Sequence, residues 1–257
     1  MSTQLASRRR VEHCMGTVFS FDVRAPGVEE PALDEAVRWL HQVDETFSTY
    51  RGNSEISRLA RGELAGESCS PQVRAVLARC EELRRDTGGY FSARPAGTLD
   101  PSGYVKGWAI ERASDILLAA GSRNHCVNGG GDVQCVGQSA PGRSWRIGIA
   151  HPHRRDELAG VVAGAPDAAE LAVATSGSVE RGCHVLDPHT GRGVDGLASV
   201  TVVGARLADA DAYATAAFAM GPAARAWLER LPGYWGFGVR PDGSTWTTTG
   251  WGRADDD

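Results

Sequence analysis

Apolar and polar residues alternate from Thr17 to Val23 (TVFSFDV), which predicts a half-buried β-strand. From Pro31 to Val43 the apolar residues recur at helical spacing, with a proline near the start, and predict a helix. The following FSTYRGN is loop-like, and Ser54 with Glu55 is placed to open a short helix. Pro71 to Arg85 reads as a second amphipathic helix ended by Thr-Gly-Gly, and Gly107 to Ala120 as a third, closed by Gly121. The second half is mostly strand-like: HCVN, DVQCVG, WRIGIA, GVVAGA, LAVATSG and ASVTVVGA. Helices are expected from Ala208 to Met220, stopped by Gly-Pro, and from Ala223 to Leu231. YWGFGVRPDGSTWTTTGW reads as a hairpin around Pro-Asp-Gly.

No repeat or low-complexity linker interrupts this pattern, so residues 1–257 are expected to form a single compact, two-lobed domain. Residues 1–12 are expected to be a flexible terminus and 253–257 a frayed tail. Strands and helices are partly segregated, which favours an α+β fold over a doubly wound parallel sheet.

The net charge of −5, with arginines scattered among acids, argues against a nucleic-acid or polybasic membrane footprint. A local anion site remains compatible with it. No apolar run approaches the ~18 residues of a membrane span. The polar start MSTQLASRRR is followed by no apolar signal region, so a cytoplasmic location is expected. The six dispersed cysteines form no CxxC pair, read as buried reduced thiols and suggest no zinc site.

Lys106 is the one lysine among 27 basic side chains. An ammonium is a compact point donor suited to tight sites near phosphates or carbonyls, unlike a guanidinium. Glycines flank it (Gly103, Gly107) near the expected start of a helix, a natural place for phosphate. Chance in an arginine-rich chain explains it about as well when it is taken alone. Asp211 and Thr215, four apart on an alanine-rich helix, put two hard oxygens on one face, a pair suited to Mg²⁺. In isolation they read more simply as an exposed charge and a tolerated core residue. His184 and Asp187-Pro188 follow a strand ending in Thr175-Ser176-Gly177, and Ser176 lacks the elbow of a serine hydrolase. Gly129 to Gly131 with Asp132 form a turn that either admits a ligand to the main chain or simply closes a hairpin. His151 and His153 are assigned no role.

In order, the blocks MGTVFSFDV, FSTYRGNSEISRLARG, LDPSGYVKGWAIERASDILLAAG, NGGGDV, TSGSVERGCHVLDPHTGRGV, SVTVVGA and ADADAYATAAFAMG resemble the FAD:protein FMN transferases, the ApbE family. The resemblance implies an ApbE/T-fold-like architecture with mixed and antiparallel sheets. It implies a metal-dependent transfer of FMN from FAD to a Thr or Ser hydroxyl of an acceptor protein carrying a flavinylation motif, with release of AMP. Asp211, Thr215, the Gly103 carbonyl and the Ala214 position would form the metal shell, for Mg²⁺ or alternatively Mn²⁺ or Ca²⁺. Asp100 would hold the adenosine end of FAD, and Met15, Tyr50, Tyr90, Phe91, Ser92, Lys106 and Leu186 would touch the cofactor. His184 would be the active-site histidine, with Lys106 beside the metal. The chain departs from the family at Ser92-Ala93, where Phe-Asp-Pro is usual, and only ARPAGTL then separates it from Asp100. FAD hydrolysis to FMN and AMP, and FAD binding without turnover, are the alternative readings.

Overall fold

A computed structural model describes residues 7–24, 27, 30–154, 156–164, 169–177 and 187–251. The alternating segment is strand β2 (Thr17–Val23), preceded by β1 (Arg8–Cys14). Phe19, Phe21 and Val23 point inward and are almost completely buried, as a period of two requires. Strand β1 replaces part of the expected flexible terminus. Of its residues only Val11 and Cys14 are apolar, and Val11 faces solvent, so the pattern carries no strand signal there. It is held by antiparallel pairing with β2 along its whole length and by Arg10, which reaches Asp34 at 2.8 Å.

The helices are α1 (Glu30–Phe47), α2 (Glu55–Ala60), α3 (Pro71–Asp86), α4 (Ser102–Ala119), α5 (Leu207–Met220) and α6 (Ala224–Leu228). Ser54 caps α2 as expected, its hydroxyl accepting from the Ser57 N–H at 3.0 Å. Ser70 caps α3 in the same way, accepting from the Val73 N–H. Helix α4 starts five residues before the expected Gly107. Glycine is a poor helix former, but burial of Tyr104 and Val105 overrides that preference. Helix α6 ends at Leu228, short of the expected Leu231.

After α4 come β3 (His125–Gly129), β4 (Asp132–Val136), β5 (Gln138–Ala140), β6 (Arg143–Ser144), β7 (Arg146–Ala150), β8 (Leu158–Ala163) and β9 (Glu170–Gly177). Strands β10 (Ser199–Gly204), β11 (Trp235–Val239) and β12 (Thr245–Thr247) complete the set. The main sheet runs β1-β2-β3-β4-β9-β10-β11-β12, and β5–β6 and β7–β8 are separate hairpins between two sheet neighbours. Every pairing among the described residues is antiparallel, the antiparallel half of the expectation. The expected tail 253–257 lies outside the described residues.

The alternation along β9 divides the core. Ala172 and Ala174 join Phe19, Phe21, Leu40, Ile110 and the alanines of α5 on the helical face. Val173 joins Val133, Cys135, Trp145, Ile149 and Phe237 on the other, with Val162 of β8. The small residues of α5 let it lie close to α4. At Gly107 an added Cβ would stand 2.7 Å from both the Asp211 Cβ and the Leu207 carbonyl. Gly107→Ala is therefore expected to force the helices apart and lower stability by about 2 kcal/mol in urea unfolding.

His125 is fully buried, with Nε2 2.7 Å from the Ser114 hydroxyl and Nδ1 2.9 Å from that of Ser122. Burial lowers its pKa from 6.5 to about 4. The unfolded chain takes up this proton first, so the contribution is complete above pH ~6.5 and is lost as pH falls toward 4, up to roughly 3 kcal/mol. Urea midpoints measured across that range are expected to fall more steeply than those of a His125→Gln variant.

Candidate active site

The N-terminal half of α4 and the first turns of α5 meet across Gly107, and that contact sets the floor of a cleft of about 1070 Å³. Asp211 is buried there, and its Oδ2 accepts from the Gly107 N–H at 2.9 Å. In a regular helix that N–H serves the Gly103 carbonyl, so Asp211 draws on the donor that carbonyl would otherwise have to itself. One turn further along α5, Thr215 presents Oγ1 to the same cleft, 3.5 Å from the Ser176 hydroxyl at the end of β9. Gly103 packs against it, since an added Cβ would lie 3.3 Å from Thr215 Oγ1. The i, i+4 spacing thus does place Asp211 and Thr215 on one face, and Gly103 faces them from the neighbouring helix.

Lys106 stands in the second turn of α4, not at its start as expected from the sequence. It pairs with Asp132, and its Nζ lies 4.0 Å from Asp211 Oδ1. Asp132 is buried and accepts from the Thr175 N–H at 3.0 Å through its other oxygen. The glycine turn before it closes a hairpin, with Gly130 at φ 61° and Gly131 at φ 94°, values that suit a two-residue loop. Neither those glycines nor Asp132 lines the cleft. The turn therefore delivers the counter-ion of Lys106. A lysine suits this position because a compact ammonium lies between two carboxylates, on a helix face narrowed by Gly103 and Gly107.

Met15, Tyr50, Tyr90, Phe91, Ser92 and Asp100 also line the cleft. Phe91 is buried against Gly103, and its N–H donates to the Thr87 hydroxyl at 3.0 Å. Met15, in the β1–β2 turn, is the one non-glycine residue with positive φ among those described. Tyr50 is almost wholly exposed at the rim. The short segment after Ser92 closes on itself: Ser92 Oγ accepts from the Arg94 N–H and the Asp100 N–H donates to the Ala93 carbonyl. Asp100 Oδ1 accepts from the Ser102 N–H at 3.0 Å, steadying the entry to α4. Ala214 is fully buried within α5 and does not line the cleft. His184 and Leu186 lie outside the described residues.

The cleft holds groups that sequence reasoning passed over. His189 sits edge-on to Tyr90, with ring centroids 4.6 Å apart, in a turn tied by Asp187. The His189 amide, followed by the Thr190 hydroxyl, holds the Asp187 carboxyl below the usual range. The available signal was Asp-Pro-His-Thr-Gly, an Asx turn that aims the intervening histidine. Arg51, Arg84 and Arg94 add positive charge to the lining.

Among the described residues no cluster of three His, Cys, Asp or Glu side chains could hold a metal. Asp211 and Thr215 bring one carboxylate and one hydroxyl to the cleft, and Gly103 lines it beside them with its main-chain carbonyl as a further oxygen of the chain. All are hard oxygens, which fits an ion such as Mg²⁺ that keeps several waters and takes substrate phosphates as further ligands.

This antiparallel α+β fold, with a hard-oxygen cleft between two helices, defines a class. The ApbE family model matches residues 15–94 and 92–235, and the chain belongs to that family. It is 31% identical to an FAD:protein FMN transferase of Rhodobacter capsulatus, over 75% of this chain and 35% of that one. With its Vibrio cholerae counterpart the identity is 25%, covering 80% and 79% of the two chains. The chain thus spans about a third of the length of the first relative. The ApbE protein of Thermotoga maritima superposes with a TM-score of 0.81 at 20% identity, covering 95% of this chain and 97% of that one. The flavin transferase ApbE of V. cholerae superposes with a TM-score of 0.77 at 24% identity, covering 95% and 98%. Among the described residues no helix is long and apolar enough to cross a membrane.

Proposed function

We propose that the chain is a metal-dependent flavinyltransferase, moving FMN from FAD to a Thr or Ser hydroxyl of an acceptor protein and releasing AMP. The observation that carries this reading is the convergence of Asp211, Thr215, Gly103 and Lys106 in one cleft of an ApbE fold. Asp211, Thr215 and the Gly103 carbonyl would hold Mg²⁺, and Mn²⁺ or Ca²⁺ would accept the same oxygens. When bound, such an ion would supply neutralisation of the pyrophosphate charge. Lys106 keeps a fixed positive charge beside that position, with its orientation set by Asp132. Asp100 is assigned to the adenosine end of FAD, and Met15, Tyr50, Tyr90, Phe91, Ser92 and Leu186 are assigned to contacts with the cofactor. The acceptor hydroxyl attacks the FMN phosphorus, the anhydride oxygen leaves with AMP, and the hydroxyl proton passes to a base, for which His184 is proposed.

Purified protein is incubated with FAD and Mg²⁺, with and without EDTA, beside peptides carrying a Thr/Ser flavinylation motif. The expected result is an EDTA-sensitive mass gain of one FMN on the peptide with equimolar AMP. AMP and free FMN with no gain in peptide mass would instead establish a pyrophosphatase. FAD bound but intact, with cell extract also tried as acceptor, would establish a binding protein.

A further inference from the structure

Cys126 and Cys135 are direct register partners across β3 and β4. Three main-chain bonds fix the kind of pair they form. The Arg24 N–H donates to the Asn124 carbonyl and the Gly130 N–H to the Val18 carbonyl, so even-numbered residues of β3 turn their backbone toward β2. The Gly137 N–H donates to the Ala169 carbonyl, so odd-numbered residues of β4 turn theirs toward β9. Cys126 and Cys135 therefore face each other with no ladder bond between them. In that arrangement Cα atoms stand about 4.5 Å apart with side chains on one face, inside the range of about 4.4–6.8 Å that a disulfide spans. Burial first, and then the neighbouring Cys126 thiol, raise the pKa of Cys135. Cys135 is buried beneath β7 and β8, whereas Cys126 is half-buried, packed at the margin of the same cluster. Arg24, held by Asp22, lies close enough to act on Cys126 electrostatically.

We propose that Cys126 and Cys135 form a dithiol modification site, closed to a cross-strand disulfide by exchange with a small disulfide such as oxidised glutathione. The sulfur of the half-buried Cys126 attacks the glutathione disulfide, forming a mixed disulfide and releasing one glutathione thiol. Cys135 then attacks the Cys126 sulfur and releases the second. Both protein thiol protons end on the two glutathione molecules, and the protein loses two hydrogens. The site lies on the sheet face opposite the helices and does not depend on the flavinyltransferase reading.

Trypsin cleaves after Arg123 and Arg143, and the fragment between them contains these two cysteines and no others. The whole reduced protein is incubated with oxidised glutathione, alkylated without reductant and digested. The fragment is expected to be two hydrogens lighter and unalkylated, and to regain both alkylation sites after dithiothreitol. A Cys135→Ala variant is expected to accumulate the mixed disulfide on Cys126. A Cys126→Ser variant, which leaves the buried position intact, is expected to leave Cys135 unmodified. A fragment alkylated at both cysteines, or stopping at the mixed disulfide in the unaltered protein, while unfolded protein oxidises under the same conditions, would overturn the proposal.

Discussion

Asp211→Asn is expected to reduce FMN transfer about a thousandfold while leaving the unfolding midpoint close to that of the unaltered protein. The substitution keeps the side chain's shape and an oxygen that accepts from the Gly107 N–H, so the α4–α5 contact survives. It removes the carboxylate proposed, with Thr215 and Gly103, to bind a divalent ion in the cleft. Transfer is followed as the mass gain of an acceptor peptide over a range of Mg²⁺ concentrations. Transfer within a few-fold of normal by a folded variant would remove Asp211 from the reaction and with it the proposed ligand set. Asparagine is chosen over alanine because a cavity beside Gly107 would mix a folding defect with a chemical one.

The second large effect is expected at Lys106. Lys106→Met leaves Asp132 buried with its charge uncompensated, and breaking such a pair costs about 3–5 kcal/mol. Urea unfolding should therefore show a marked loss of stability, and transfer should be lost as well. Adding Asp132→Asn removes the stranded charge and is expected to recover much of the stability without recovering transfer. That split separates the structural part of Lys106 from the part proposed for it in the reaction. Recovery of both by the double variant would make the lysine a purely structural cation. Lys106→Arg tests why the chain keeps a lysine there: a guanidinium is larger and planar, and on the face narrowed by Gly103 and Gly107 it is expected to preserve charge while losing transfer.

What could be read from the sequence was local. Alternation marks β2, Ser54 with Glu55 marks the start of α2, amphipathic spacing marks α3, and the four-residue spacing of Asp211 and Thr215 places both on one face of α5. What could not be read depends on partners far along the chain. Gly107 looked like a helix start, yet it is a contact point whose N–H bonds a residue 104 positions away. Asp132 looked like part of a turn, and only the pairing of β3 with β4 carries it to Lys106. His189 carries no signal that sets it apart from His184 in the sequence, because no periodicity distinguishes a histidine that faces a cleft. Tyr50 and Asp100 reached the cleft assignment through family resemblance, since a rim tyrosine and a turn aspartate carry no pattern of their own.

Among the described residues strand β1 forms one border of the eight-stranded sheet, and about half of its backbone donors and acceptors face away from β2. An open border of this kind is a template on which a strand from another molecule can add. The three consecutive arginines that hide β1 from the hydrophobic pattern line this border with charged side chains, each ion-paired to an acidic neighbour, and a strand adding there has to desolvate those pairs. The composition that makes the strand hard to recognise thus also protects the folded protein against aggregation along that edge.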